Sequence, residues 1–429
     1  MADSLVILSD GWPAANMAGI SQTLYNLFDA YPGNLWMLMP EGESIPGGER
    51  LDMAEVRYPV RPYAPIANRL GRFINNGRVK NQMSWRQKNW NVPVQLPTPN
   101  DALILVSTTD ATKLQLAWLL LRQGYTVIPY FMDDWLHDNN LKWKGNNIQQ
   151  VAKDILEAAP AWLMISEPLN RILRERYRLI QKPYLVVHNP APASVASGQW
   201  LVSSGLAELQ TAPEPPKLLE EVGLSNCQLP TGNCQLIYAG SVWPMHADAL
   251  IAVARAIDLL GNKNQGKYGL ELYIPEGHWE KYRTKLEGKG VEYKGWLPYV
   301  EVQEKLKDAS MTVCTASFEK AHAAFSQSST QTKLTDYMAS GRPILFVGPD
   351  GSASGEFVEK WDCGYWCKEN NSENLADFIK EIFSRPEEMQ EKGANGMLLA
   401  QTTFSKKNQQ ERLYRFVEEI GRMEQAKNS

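Results

Sequence analysis

Cysteine is scarce in this chain. Its 429 residues hold five, Cys227, Cys234, Cys314, Cys363 and Cys367, an odd and scattered set with no histidine partners nearby. That pattern excludes a disulfide scaffold and predicts free thiols in a reducing compartment, hence a cytoplasmic location. Cys363 and Cys367 lack a second pair to complete four ligands, so no metal site is expected. Long apolar runs are missing too: Leu114 to Leu121 is the longest, and Gln115 already interrupts it. A membrane-spanning helix needs about 20 apolar residues. Met1-Ala2-Asp3-Ser4 brings neither a basic segment nor a cleavage site, so no signal peptide is expected. Charge of one sign is also lacking, with 44 Lys and Arg against 48 Asp and Glu and a net charge of −4. A global polyanion-binding role, including nucleic acid, has no support from that balance. No Gly-x-Ser-x-Gly elbow, Gly-x-Gly-x-x-Gly fingerprint or Walker-type Gly-Lys-Thr/Ser occurs.

What is present is an ordinary globular composition, 44% hydrophobic and 21% charged, in a length that favours two domains. Short apolar runs alternate with amphipathic stretches. Strands are predicted at 4–9, 34–39, 102–107, 126–131, 161–165 and 184–187, with helices at 20–30, 112–123, 147–158 and 168–179 between them. The rhythm then repeats, with strands at 235–239, 270–274, 291–293, 311–315 and 343–347. Helices are predicted there at 247–260, 299–308, 332–340, 353–360, 372–384 and 387–400. Apolar strands without two-residue alternation, separated by helices, imply parallel sheets covered on both faces. The fold class is therefore α/β, two doubly wound Rossmann-like domains facing a central cleft. The expected boundaries are 1–195 for the first domain, 196–228 for a Pro-rich linker and 229–403 for the second domain. A helix over 404–429 is expected to cross back to the first domain.

The strongest local signal is residues 328–348, SSTQTKLTDYMASGRPILFVG. Ser, Thr and Gln lead into a short helix, a place where unpaired N–H groups favour an anion such as a diphosphate. Lys333 in the first turn adds a full positive charge. Asp336, one turn on, can accept hydrogen bonds from vicinal sugar hydroxyls.

This stretch resembles the donor-site motif of GT-B glycosyltransferases, most closely the retaining GT4 family. The resemblance rests on Thr332-Lys333-Leu334, on Asp336 to Pro343 and on Glu356 in the following helix. Tyr238-Ala239-Gly240-Ser241 is similar to the family's turn before the donor phosphates. The segment from Val291 to Pro298, with Trp296, looks like its base-side segment. Ser166-Glu167-Pro168 and His188-Asn189-Pro190 match the close of its first domain. The similarity spans nearly the whole chain. It implies a glycosyltransferase moving a sugar from a nucleotide-diphosphate donor, with retention of configuration and no cofactor beyond that substrate. Implied donor-binding residues are Gly240, Ser241, His246, Trp296, Ser328, Thr332, Lys333, Asp336 and Glu356, with Lys333 the catalytic cation on the leaving phosphate. Two departures stand out. Ser328 occupies the first of two positions where the family has glutamates, and Asp336 takes the second. The family's basic residues after the glycine turn are absent, with His246 the one partial substitute.

The first domain should serve the acceptor, whether carbohydrate, lipid-linked or protein. Gly19 opens a helix and permits close approach of a ligand; a plain strand-to-helix turn reads the same way. Asp133 and Asp134 follow the strand 126–131 beside Trp135, where carboxylates can take a hydroxyl proton and an indole can stack on sugar. A helix cap explains such aspartates equally well. The absence of any Asp-x-Asp disfavours the metal-dependent GT-A arrangement, so no metal is expected. Residues 61–90 hold seven basic side chains and no acid, interleaved with Ile66, Leu70, Phe73, Trp85 and Trp90. That segment suits peripheral contact with anionic lipid, or simply a solvated basic face. Alternatives to transfer are a nucleotide-sugar epimerase of similar fold and a catalytically weak sugar-binding or partner subunit.

Overall fold

The computed structural model describes residues 4–15, 19–60, 69–134, 141–192, 234–263 and 267–428, with side chains of the helix starting at Arg69 described from Ile74. The segment expected as linker lies outside the described residues. The described residues divide into two units, one holding those up to Val187 and those from Gln410 on, the other those between His188 and Gln409.

The first unit is built on β1 (Ser4–Ser9), β2 (Asn34–Pro40), β3 (Ala54–Tyr58), β4 (Ala102–Ser107) and β5 (Thr126–Phe131). A small antiparallel pair, β6 (Lys142–Trp143) and β7 (Asn146–Asn147), precedes β8 (Trp162–Met164) and β9 (Tyr184–Val186). The seven-stranded sheet runs β3-β2-β1-β4-β5-β8-β9, every pair parallel. β1 and β4 are fully buried along their length, as their uniformly apolar sequences require. One face packs on Leu114, Trp118, Ile148 and Ile155. The other packs on Leu24, Leu27 and Phe28 and on Leu413, Phe416 and Ile420 of the last helix, Lys406–Asn428. That helix is also tied down by Gln410, which donates to the Asn26 carbonyl at 2.9 Å, and by the Tyr414 hydroxyl, which donates to Leu27 O at 2.8 Å.

The second unit repeats the plan with β10 (Cys234–Ala239), β11 (Tyr268–Tyr273), β12 (Val291–Tyr293), β13 (Met311–Thr315), β14 (Ile344–Val347) and β15 (Gly364–Cys367). Its order is β12-β11-β10-β13-β14-β15, again all parallel. Strand order therefore reverses between β1 and β4 in one sheet and between β10 and β13 in the other. Crevices at the carboxyl ends of such reversal points are where open α/β sheets hold ligands.

Elements beyond those expected are β3, β15, the pair β6 and β7, and the helices Arg69–Asn89, Glu276–Leu286 and Ala323–Ser328. β3 and β15 are short strands at sheet edges, one carrying Glu55 and Arg57 and the other opening on Gly364, so neither shows a strand-like apolar run. The helix Glu276–Leu286 presents Trp279, Tyr282 and Leu286 at helical spacing, but only Leu286 is fully buried and charged residues fill the rest, so its apolar stripe is thin. Among the described residues no helix is long and apolar enough to cross a membrane.

Candidate functional site

At the reversal point of the second sheet, β10 ends on Tyr238 and Ala239 and the chain turns at Gly240, whose φ of +119° favours glycine. Tyr337, on the helix Lys333–Ala339, pins this end: its hydroxyl accepts from Ala239 N at 3.1 Å and donates to Ala239 O at 3.0 Å. The same helix delivers Lys333 directly beneath the turn. A β-carbon on Gly240 would sit 3.5 Å from Lys333 Nζ, so the glycine keeps the space above the amine open.

The half-buried ammonium of Lys333 donates to the Tyr238 hydroxyl at 3.1 Å and lies 4.2 Å from the centre of the Tyr238 ring. The Tyr238 hydroxyl in turn donates to Ser241 O at 2.9 Å. Burial alone would lower the lysine pKa, but the Tyr238 and Tyr337 phenols and the Cys314 thiol raise it overall, so the amine stays charged. Among the described residues no carboxylate pairs with it. A cation–π contact of this kind contributes about 0.5–2 kcal/mol.

Around it stand the other groups. His246, near the start of the helix Pro244–Lys263, is buried, and neither ring nitrogen has a hydrogen-bond partner among the described residues. Burial first, then Lys333, pulls its pKa down to about 3, with the Ser241 main chain opposing. The imidazole is neutral, so it offers hydrogen-bonding nitrogens and no charge. Asp336 is half-buried and accepts from the Tyr299 hydroxyl at 2.6 Å. Burial raises its pKa to about 7, against the lowering pull of Tyr299 and Lys333. Thr332 is exposed at the helix entrance, and Trp296 is 63% exposed after Gly295 at φ +83°. Glu356 is half-buried on the helix Ala353–Lys360. The Ser354 hydroxyl accepts from Gln331 N and donates to Ser329 O, fastening that helix to the approach of Lys333.

Ser328 does not join this group. It is fully buried at the end of the helix Ala323–Ser328, and its hydroxyl donates back to Ala324 O at 2.7 Å. A side chain sealed from solvent offers a ligand nothing in this conformation, which corrects its expected place beside the donor.

In the first unit Asp134 is also corrected. Both its oxygens are held by the Arg176 guanidinium, at 2.7 and 2.6 Å, with the carboxylate side chain only 2% exposed. A carboxylate closed in a bidentate ion pair cannot serve as a base. Asp133 is half-buried, Gly19 is exposed at φ +64°, and Trp135 lies outside the described residues. Of the basic segment, Arg61, Ile66 and the side chains of Arg69, Leu70, Arg72 and Phe73 lie outside the described residues, Lys80 and Lys88 are exposed, and Arg86 is not part of the surface. Arg86 is 2% exposed, stacked 5.1 Å over the Tyr58 ring and donating to Thr112 O at 2.5 Å. Trp90 packs on Tyr58 and donates to Gln123 at 2.8 Å. Lys182 likewise turns to the Ala159 carbonyl, at 2.6 Å.

Sequence reasoning missed Tyr299, Tyr238 and Tyr337 as site residues. Tyr238 sits one residue from a recognisable turn, which was the available signal. No three-residue His, Cys, Asp or Glu cluster suited to a metal occurs among the described residues.

No protein-family model matches the chain, and no curated protein matches it by sequence. Solved structures do match over nearly its whole length. HepE from Anabaena, in complex with UDP and glucose, superposes with a TM-score of 0.58 at 11% identity over 97% of this chain and 99% of that one. Sucrose-phosphate synthase from Thermosynechococcus elongatus gives 0.61 at 14% identity, over 97% and 98%. The chain has the GT-B fold. An α,α-trehalose-phosphate synthase from Burkholderia xenovorans, in complex with glucose-6-phosphate, gives 0.59 at 11% identity over 97% and 99%. The GT-B assignment agrees with the two parallel sheets and their strand orders.

Proposed function

We propose that the chain is a glycosyltransferase that moves a sugar from a nucleotide-diphosphate donor to a hydroxyl acceptor, with the donor held by the second unit. The observation that carries this reading is the Lys333 ammonium, charged and in no ion pair among the described residues, held by Tyr238 under the Gly240 turn. Transfer breaks the bond from the sugar's anomeric carbon to the diphosphate, and the electron pair leaves on a phosphate oxygen. A fixed ammonium at that oxygen stabilises the growing charge without solvent reorganisation; one such donor is typically worth about 10²–10³ in rate. Gly240, Ser241 and Thr332 would border the diphosphate, and His246 would bond an oxygen of the phosphate or sugar as a neutral imidazole. Trp296 and Asp336 would face the nucleoside, and Glu356 the sugar.

The acceptor oxygen forms the new bond to the anomeric carbon and gives up its proton. Asp133 would take that proton in the first unit, with Gly19 bordering the acceptor. UDP and glucose in the HepE structure support a UDP-hexose as the donor to try first. Retention of configuration, like the GT4 assignment, rests on the motif resemblance.

One observation favours a second reading. Sealing of Ser328 leaves the first acidic position of the motif without a polar group for the donor, as a binding subunit with little turnover would have. The test is incubation with UDP-, ADP- and GDP-sugars and hydroxyl acceptors, following nucleotide release and products by mass spectrometry. Transfer predicts nucleoside diphosphate and glycosylated acceptor in equal amounts. An epimerised donor would identify an epimerase, and saturable donor binding with no release would identify the subunit.

A further inference from the structure

The peptide between Ser241 and Val242 is held at both ends. Its carbonyl oxygen accepts from the Tyr238 hydroxyl at 2.9 Å, and the same hydroxyl accepts from the Lys333 ammonium. Its N–H, on Val242, donates to Nδ1 of His278 at 2.9 Å. A ring nitrogen that accepts carries no proton, so the imidazole proton sits on Nε2. Three hydrogen bonds therefore run in series from Lys333, through Tyr238 and this peptide, to His278. His278 is itself delivered by a fixed element, the first turn of the helix Glu276–Leu286, where Pro275 O accepts from His278 N at 2.9 Å and from Trp279 N at 3.1 Å. Trp279 stacks flat on Tyr293 of β12, with ring centres 4.7 Å apart and 1° between the planes. The imidazole also meets the Trp243 indole edge to face at 5.0 Å, and that indole is 53% exposed.

Gly240 and Ser241 bring no apolar side chain to anchor their turn, so hydrogen bonds must fix it. Gly240 N is spent on Tyr273 O at 3.0 Å, whereas Ser241 N has no partner among the described residues. We infer that His278 is a positioning residue for the donor diphosphate: by fixing the Ser241–Val242 peptide it holds the Gly240 turn open above the Lys333 ammonium and leaves Ser241 N–H free for a phosphate oxygen. The inference rests on the donor-binding reading above. His278 acts through the main chain and touches no substrate. Without its acceptor the buried Val242 N–H is unpaired, and a peptide that turns to satisfy it takes Ser241 O away from Tyr238, the group that holds Lys333.

The experiment is calorimetric titration of wild type, His278→Phe and His278→Asn with UDP and with uridine. Phenylalanine keeps an aromatic ring against Trp243 and removes the acceptor. Asparagine loses the ring and keeps an acceptor oxygen near the Nδ1 position. His278→Phe should bind UDP about 5–10-fold more weakly than wild type, the worth of one net hydrogen bond, with uridine affinity unchanged. His278→Asn should recover UDP binding to within about twofold of wild type. A role in packing alone predicts the opposite order, Phe near wild type and Asn weakened, and that result would overturn the inference while leaving the donor reading intact. Nitrogen-15 NMR of the wild-type imidazole needs no variant: it should show Nδ1 bare and Nε2 protonated, and a proton on Nδ1 would overturn the inference as well. Failure of wild type to bind UDP, ADP or GDP at all would overturn the donor reading and this inference with it.

Discussion

Replacing Asp134 by Asn separates a structural carboxylate from a catalytic one. The carboxylate is 2% exposed and takes two bonds from Arg176, whose side chain is 26% exposed. The amide keeps the shape but loses the charge and turns an NH₂ group toward one guanidinium N–H. Breaking a buried pair from one side typically costs 3–5 kcal/mol. Here a quarter of the arginine side chain already reaches water, so the loss should sit below that range, at about 2–3 kcal/mol. For a unit of 150–250 residues each kcal/mol moves the melting temperature by about 2–4 °C, giving a fall of about 4–12 °C. Differential scanning calorimetry beside an activity assay reads both quantities. Asp134→Asn should melt lower yet retain wild-type kcat/KM in the fraction that is folded at 20 °C. Asp133→Asn should do the reverse. An Asp134→Asn variant of unchanged melting temperature that has lost turnover would refute the ion-pair assignment and restore Asp134 as a catalytic group.

Two further outcomes follow from the second unit. The Asp336 carboxyl, raised by burial to about 7, binds more protons folded than unfolded between its ordinary pKa and 7, so its contribution to stability falls as pH rises through that window. Asp336→Asn should therefore melt higher than wild type at pH 8 and show no such gain at pH 4, as thermal scans at both values would read. If the gain is equal at the two pH values, the carboxyl is not the titrating group. A β-carbon at Gly355 would sit 2.3–2.6 Å from atoms of the Trp366 ring, which is held by its bond to Gly348 O at 3.0 Å. Gly355→Ala should cost about 1–3 kcal/mol in a denaturant titration, and an unchanged midpoint would show that the indole moves freely.

The α/β plan was legible because buried parallel strands must be apolar throughout, as β4 (ALILVS) and β14 (ILFV) are. Charged edge strands carry no such imprint, and in the helix Glu276–Leu286 it is reduced to Trp279, Tyr282 and Leu286. Within the site, Lys333 and Asp336 were legible because their spacing along one short helix is local. Their partners were not: Tyr238 is 95 positions from Lys333, and Tyr299 is 37 from Asp336. Asp134 misled for the same reason. A strand-end carboxylate looks alike in sequence whether it awaits a substrate or meets an arginine 42 residues away. Arg86 shows the converse, a charge counted as surface in a basic run but packed under Tyr58 once the helix is formed.

The central claim is that the Lys333 ammonium awaits a diphosphate. Its most direct measurement is calorimetric binding of UDP and of uridine to wild type and to Lys333→Met. Wild type should bind UDP at least 100-fold more tightly than uridine, and the variant should lose most of that gap while binding uridine as before and losing about 1–3 kcal/mol of stability, the hydrogen bond and cation–π contact to Tyr238. An undiminished preference for UDP in Lys333→Met would contradict the account.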